Sequence, residues 1–389
     1  MREYITKNQK QLRCGITTGT CAAAAAKAAA MRLLFGIDEK TVRIHTPKGI
    51  TVEVAVSCVQ SSEQRAEYMV QKDSGDDPDV TNHAEIFVSL EKTEPGREVA
   101  KEAFSDERYP NLYLDGGIGV GRVTKKGLEQ KIGQAAINTV PRAMIFQAAG
   151  EVCKLAEYGE ELLITVSVPA GEELAERTFN PRLGITGGIS ILGTSGILEP
   201  MSEQAIVDTI ETQIRQLQVL GEERLLVTPG NYGQEYAKKY LGLDMEKSIK
   251  CSNYIGETLD LAAAYGMKQV LLVGNIGKLV KLAAGIMNTH SKVADARCEI
   301  FALHTVLSGG DRGMAEQIMG CINTDEILDH LETWGLREAV MKSICVKIQE
   351  YIARRAGGNM KCSVILFSEK FGYLGETEGA EELITWFIS

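Results

Sequence analysis

The chain has 389 residues, 44% of them hydrophobic and 24% charged, a composition that belongs to a folded, water-soluble protein and excludes disorder over any long stretch. A net charge of −10 excludes nonspecific nucleic-acid binding, which needs a basic face, but leaves room for a local basic pocket. The nine cysteines are scattered, odd in number and without a CxxC pair, so neither a zinc ribbon nor a disulfide scaffold is expected, and reduced thiols in a cytoplasmic protein fit best.

The opening MREYITKNQKQLR lacks the apolar run of a secretory signal. CGITTGTCAAAAAKAAA (14–30) then puts a glycine-threonine turn before an alanine-rich helix. Thr18 or Thr20 is the expected N-cap, Gly19 allows the sharp turn, and the helix N-terminus presents N–H groups suited to an anion. Read alone, the segment is better explained by a tightly packed helix with an ordinary cap. The run is too short and too weakly apolar for a membrane span, and Lys27 interrupts it.

TVRIHT (41–46) and ITVEVAV (50–56) flank Pro47-Lys48-Gly49 and predict a hairpin. Further strands are expected at 66–72, 84–90, 111–115 and 161–168, with a helix from Pro141 to about Tyr158. This pattern predicts a two-layer α+β domain over 1–198. Beyond it the rhythm changes. A helix from Ser202 to about Leu220, strands at 224–228, near Ile249 and at 269–273, and helices after Asn231 and Tyr254 follow βαβ logic. Helices fill most of 293–356, and KCSVILF (361–367) returns as a last strand. A Rossmann-like three-layer α/β domain is therefore expected over 199–389, with a mostly parallel sheet covered on both faces.

Several segments carry candidate chemistry. In KDSGDDPDVTNH (72–83) four aspartates crowd together, which attracts a cation or raises one carboxyl toward general-base duty, with Asp77 the candidate. A solvated turn explains the same residues. LYLDGGIGVGRVTKKGL (112–128) is glycine-rich, but no acidic residue follows at the spacing of a dinucleotide fingerprint. Asp115, Gly116 and Gly117 instead line a ligand surface in this reading, with Arg122 and Lys125 near anionic groups, or else the cations form an exposed rim. In 177–202, Gly187, Gly188, Gly193 and Gly196 leave space for a large planar ligand, and Arg182 suits a carboxylate. A crossover with tight turns is the plainer alternative. In the second half, Gly230, Asn231, Ser252, Asn253, Gly274, Asn275, Gly277 and Lys278 follow predicted strands, where open α/β sheets take ligands. His290 with nearby Asp295 suits acid–base work.

Taken in order, TTGTCAAAAAKAA, GDDPDVT, DGGIGVGRVTKKGL, AINTVPR, TFNPRLGITGGISILGTSGI and GKLVKLAAGIMNTHSKVADAR resemble the CbiD family, the cobalt-precorrin-5B C1-methyltransferases of anaerobic cobalamin synthesis. The likeness runs from about residue 13 to residue 300 and is weakest in the C-terminal third. It implies transfer of a methyl group from S-adenosylmethionine to C1 of cobalt-precorrin-5B, giving cobalt-precorrin-6A. Cobalt then enters only inside the corrinoid substrate, and no metal-ligand cluster of the protein's own is expected. The family commonly carries His where Asn275 stands, so that position receives no acid–base role. On this reading Thr18, Gly19, Thr20, Asp115, Gly116, Gly117, Arg122, Lys125 and Arg182 meet the substrate, the second-half turns hold the donor, and His290 and Asp77 are the catalytic candidates. The macrocycle is expected between the two domains. No nucleic-acid or membrane partner is expected, and a homo-oligomer is compatible with the sequence. The alternatives are a noncatalytic tetrapyrrole carrier and a small-molecule kinase, the latter lacking a Walker lysine-Ser/Thr pair.

Overall fold

A computed structural model describes residues 3–7, 9–93, 101–245 and 248–388. The chain divides into two compact units, Met1–Ser202 and Glu203–Ser389. Both mix helices with sheets.

The first unit is built on a six-stranded sheet. Its strands are β1 (Ser57–Ser61), β2 (Arg65–Gln71), β3 (Glu85–Lys92), β4 (Phe104–Asp106), β5 (Tyr109–Gly116) and β6 (Leu162–Ser167), in the spatial order β1-β2-β3-β6-β5-β4. Only the β5–β6 pair is parallel. Alternation decides which face is covered. Tyr68 opposes Val88, Leu90 opposes both Ala66 and Ile164, and Leu114 is in register with Ile164, so these buried side chains share one face. Helices α1 (Thr18–Phe35) and α2 (Thr139–Leu155) pack in the same core. The alanines from Ala22 to Ala26 and from Ala28 to Ala30 are all inaccessible, so α1 is covered on nearly every side. Small side chains let it lie close to α2 and to the sheet together. The hairpin predicted over 41–56 forms with strands at Thr41–His45 and Thr51–Ala55 and Ile44 opposite Val52, and Gly49 takes the left-handed conformation (φ +83°) that its turn requires.

The second unit holds a five-stranded sheet. Strands β7 (Arg224–Thr228), β8 (Ser248–Lys250), β9 (Gln269–Asn275) and β10 (Lys361–Ser368) are mutually parallel, and β11 (Gly372–Glu376) joins antiparallel at the edge. The spatial order is β8-β7-β9-β10-β11. The sequence predicts 361–367 as the last strand; β11 lies beyond it and carries little strand signal, being short, containing Gly372 and Gly375 and burying only Leu374. Successive residues of the central strands enter different cores. Leu226, Leu271, Val273, Ile365 and Phe367 meet Tyr236 and Ala237 of α4 (Asn231–Tyr240) and Leu383 of the last helix. Leu225, Val227, Val270, Leu272 and Val364 meet α3 (Glu203–Val219), α5 (Ile255–Ala264) and the helices of 297–355. Helices thus cover both faces.

Candidate functional site

In the first unit, motifs far apart in sequence converge on the N-terminus of α1. The cap is Thr17, not the expected Thr18 or Thr20: its Oγ1 accepts from the Thr20 amide at 3.2 Å. Nor is the helix N-terminus open to an anion. Gly19 N–H donates to the Leu192 carbonyl at 3.0 Å, Thr18 Oγ1 both accepts from and donates to the Leu192 backbone, and Thr20 Oγ1 donates to the Gly196 carbonyl at 2.6 Å. All three residues are buried. The glycine-rich 184–198 segment therefore satisfies the groups that the sequence alone offers to a ligand.

That segment also pairs with the earlier glycine run. Gly119–Val120 runs parallel to Gly188–Ile189, and Arg122–Val123 is antiparallel to Ile185–Thr186. Ile191 bridges to Ile137, and Gly19 packs on Pro141, which brings in the AINTVPR segment. The glycines serve close backbone approach. A Cβ on Gly119 would lie 1.8 Å from the Val168 carbonyl oxygen at a φ of +70°, and one on Gly188 would lie 2.1 Å from the Gly119 oxygen. Arg122 is not free for a substrate anion. Its guanidinium makes a two-pronged bond to Asp115 at 2.6 and 3.0 Å and reaches the Gly116 carbonyl at 2.5 Å. Gly117 sits against Ser167. Lys125, whose stem crosses Gly184, and Arg182 are exposed cations beside the same paired segments.

The aspartate loop closes the other side. Asp73 grips Arg13 with both oxygens, Asp76 accepts from the Arg13 amide, and Asp77 accepts from the Met201 amide at 2.7 Å. Asp79 accepts from Lys72 Nζ, which is 2% exposed and also bonds Ser74 and Thr81. Asp79 is shifted down, not up. Burial works against the Asp79 anion, but the Lys72 charge and the surrounding hydrogen bonds outweigh it and hold this carboxyl below its usual range. A pocket of about 320 Å³ lies between the 13–16 segment, residues 50–55 and the start of the aspartate loop, lined by Arg13, Gly15, Val52, Gln71, Asp73 and Ile197.

In the second unit, every predicted donor-site residue falls at or just past the carboxyl end of a parallel strand. The neighbouring β7 and β9 lead to helices on opposite faces, so their ends flank a topological switch point. Gly230 precedes α4, Asn231 accepts from Lys250, and Asn275 caps the next turn by accepting from Gly277 N–H at 2.8 Å. Asn253 bonds Thr289, and Ser252 adopts a left-handed conformation (φ +54°). Two groups are left over. Thr228 is wholly buried at the end of β7, and its Oγ1 has no hydrogen-bond partner among the described residues. Lys278 is half-buried, makes no hydrogen bond or ion pair with a described residue, and has its pKa lowered by burial. Sequence reasoning missed Gly233, whose absent side chain lets α4 approach the Val273 carbonyl, and Thr324, near Gly277. Neither stands in a recognisable motif.

The expected His290–Asp295 pair does not form. Asp295 is taken by Arg297 at 2.5 and 2.8 Å, which lowers its pKa. His290 is exposed, and its Nδ1 accepts from the Lys292 amide at 3.1 Å. A backbone N–H can only donate, so the Nδ1 lone pair is engaged within the loop and Nε2 is the ring nitrogen left to face a ligand. Lys281 is 2% exposed and donates to the Thr289 and Ala294 carbonyls, pinning the loop that bears His290.

A mostly parallel sheet covered on both faces in the second unit, together with the mixed sheet and helices of the first, makes this a mixed α/β protein. The particular family is defined by sequence: the chain belongs to the CbiD family, whose model matches residues 5–200 and whose C-terminal domain model matches residues 288–378. The cobalt-precorrin-5B C(1)-methyltransferase of Ruminiclostridium cellulolyticum is 47% identical over 95% of this chain and 92% of its own length. That of Thermoanaerobacter sp. is 41% identical over 99% of this chain and all of its own. A crystal structure of the cobalamin biosynthesis protein CbiD from Archaeoglobus fulgidus, 28% identical, covers 76% of this chain and 87% of that one, with a TM-score of 0.40. No helix among the described residues is long and apolar enough to cross a membrane.

Proposed function

We propose that this chain methylates C1 of cobalt-precorrin-5B to give cobalt-precorrin-6A in anaerobic cobalamin synthesis, with S-adenosylmethionine as the methyl donor. The observation that carries this reading is the 47% identity to a cobalt-precorrin-5B C(1)-methyltransferase over nearly the whole of both chains.

The second unit, read as a Rossmann-like domain, holds the donor at the ends of β7 and β9. Its chemistry fits: the donor brings a carboxylate and several hydrogen-bonding groups, and the protein there offers an uncompensated lysine and an orphaned buried hydroxyl. Lys278 binds the carboxylate. Thr228 and Asn231 orient the remaining polar groups, while Gly274 and Gly277 keep the approach open. When bound, S-adenosylmethionine supplies an electrophilic methyl group on its sulfonium. In the first unit, Lys125 and Arg182 receive acetate and propionate groups of the corrinoid. The buried network of Thr18, Gly19 and Thr20 fixes the shape of that surface and does not touch the substrate. His290 faces the ligand through Nε2, and Asp77 holds the 201 turn in place.

The test follows labelled methyl from S-adenosylmethionine into cobalt-precorrin-5B with the purified full chain. Labelled corrinoid formed together with S-adenosylhomocysteine supports the reading. Corrinoid binding without consumption of the donor would instead indicate a carrier.

A further inference from the structure

Helix α6 (Arg297–Leu307), helix α7 (Arg312–Met319) and helix α8 (Thr324–Thr333) belong to the second unit and contribute no residue to the strand-end site described above, apart from the approach of Thr324. At the start of α8, three side chains of different chemistry meet. A thiol (Cys321), a carboxylate (Glu326) and an imidazole (His330) each place a ligand atom within 4.8 Å of the other two. We propose that this cluster is a binding site for one divalent transition-metal ion of the zinc type, serving to fasten the 321–330 segment.

Local sequence sets up the geometry. Glu326 and His330 are four residues apart on α8 and so share one face, while Cys321 lies just before the cap residue Asn323. The ligands are already held. Asn323 accepts from the Glu326 amide at 3.0 Å, and Glu326 Oε2 accepts from the Ile322 amide at 2.8 Å, a reciprocal cap that fixes the carboxylate and leaves Oε1 available. His330 stacks on Trp334 one turn later, with ring centroids 5.2 Å apart, and neither ring nitrogen bonds a described residue. The Cys298 thiol donates to the Cys321 carbonyl at 3.5 Å, which adds an outer contact and a second sulfur beside the cluster.

Charge and ligand type both favour a zinc-like ion. A thiolate and a carboxylate together carry two negative charges, which neutralise a dication bound with a neutral imidazole in a half-buried place. Sulfur and nitrogen donors select borderline-soft ions over calcium or magnesium. Around a tetrahedral zinc with ligand bonds of roughly 2.0–2.3 Å, donor atoms lie about 3.5 Å apart, so small side-chain rotations close the present spacing. The inference does not depend on the methyl-transfer reading.

The experiment uses the tag-free full chain, treated with a chelator and titrated with Co²⁺ as a spectroscopic probe and then with Zn²⁺. The expected result is one equivalent bound with a sulfur-to-cobalt charge-transfer band, displaced by Zn²⁺. C321S removes that band, H330Q weakens binding by at least about tenfold, and C58S, altering a thiol of the first unit, changes neither. Circular dichroism establishes that each variant is folded. Absence of the band, or a band and affinity unchanged in both folded C321S and H330Q, overturns the proposal.

Discussion

Replacing Lys278 by methionine separates function from stability at a single position. Lys278 is half-buried, without a hydrogen-bonded partner among the described residues, and its pKa is lowered first of all by burial. Removing it orphans no other group, so K278M should be at least as stable as the parent. A charge-assisted hydrogen bond to the donor's carboxylate contributes about 1.5–3 kcal/mol. At about 1.4 kcal/mol per tenfold, S-adenosylhomocysteine should bind K278M roughly 10- to 150-fold more weakly. The pH dependence of stability gives a second readout. Because the folded-state pKa lies below 10.5, the folded chain sheds this proton before the unfolded chain does, and stability rises with pH through the window beneath 10.5. K278M should lose its share of that rise, while Lys281, shifted in the same direction, keeps its own. Isothermal titration and urea unfolding across pH 7–10 supply both measurements. A folded K278M that binds S-adenosylhomocysteine within twofold of the parent would show that Lys278 does not hold the donor.

Other perturbations have equally definite outcomes. D79A leaves the Lys72 ammonium buried without its counter-charge and should destabilise the chain by about 3–5 kcal/mol in urea unfolding. Because Asp79 titrates below its ordinary 3.8 when folded, its contribution is fully present above that pH and lost as pH falls through the lower folded value, so D79A should flatten the acid limb of the stability profile. G119A forces a Cβ into the Val168 carbonyl at a positive φ and should cost about 2–5 kcal/mol in the same assay, with corrinoid binding lost alongside. T228V removes an unpartnered buried hydroxyl, so thermal melting should be unchanged or higher, while affinity for S-adenosylhomocysteine falls by about 2- to 13-fold, the worth of one neutral hydrogen bond.

What could be read in the sequence was the part set by local pattern. Strong period-two alternation marked the 41–55 hairpin, and apolar runs between turns marked β7, β9 and β10. The placement of Gly230, Asn231, Gly274 and Asn275 at strand ends followed directly from those strands. Partnerships were less legible, because they are decided by segments remote in the chain. Thr18, Gly19 and Thr20 had the signature of an open anion site, yet the carbonyls that occupy their donors come from residues 192 and 196. Arg122 carried a plausible charge for substrate, but Asp115, seven residues earlier, turns back to claim it. Asp295 is near His290 in sequence and bound instead to Arg297. The Cys321–Glu326–His330 cluster escaped notice because it mixes three donor types at spacings with no familiar motif.

Binding of the methyl donor at the carboxyl ends of the second unit's parallel strands is tested by amide hydrogen exchange on the full chain, with and without saturating S-adenosylhomocysteine. Slowed exchange concentrated in residues 228–233, 250–256 and 273–279 is the predicted result. Protection confined to residues 15–20 and 115–123 of the first unit would contradict it.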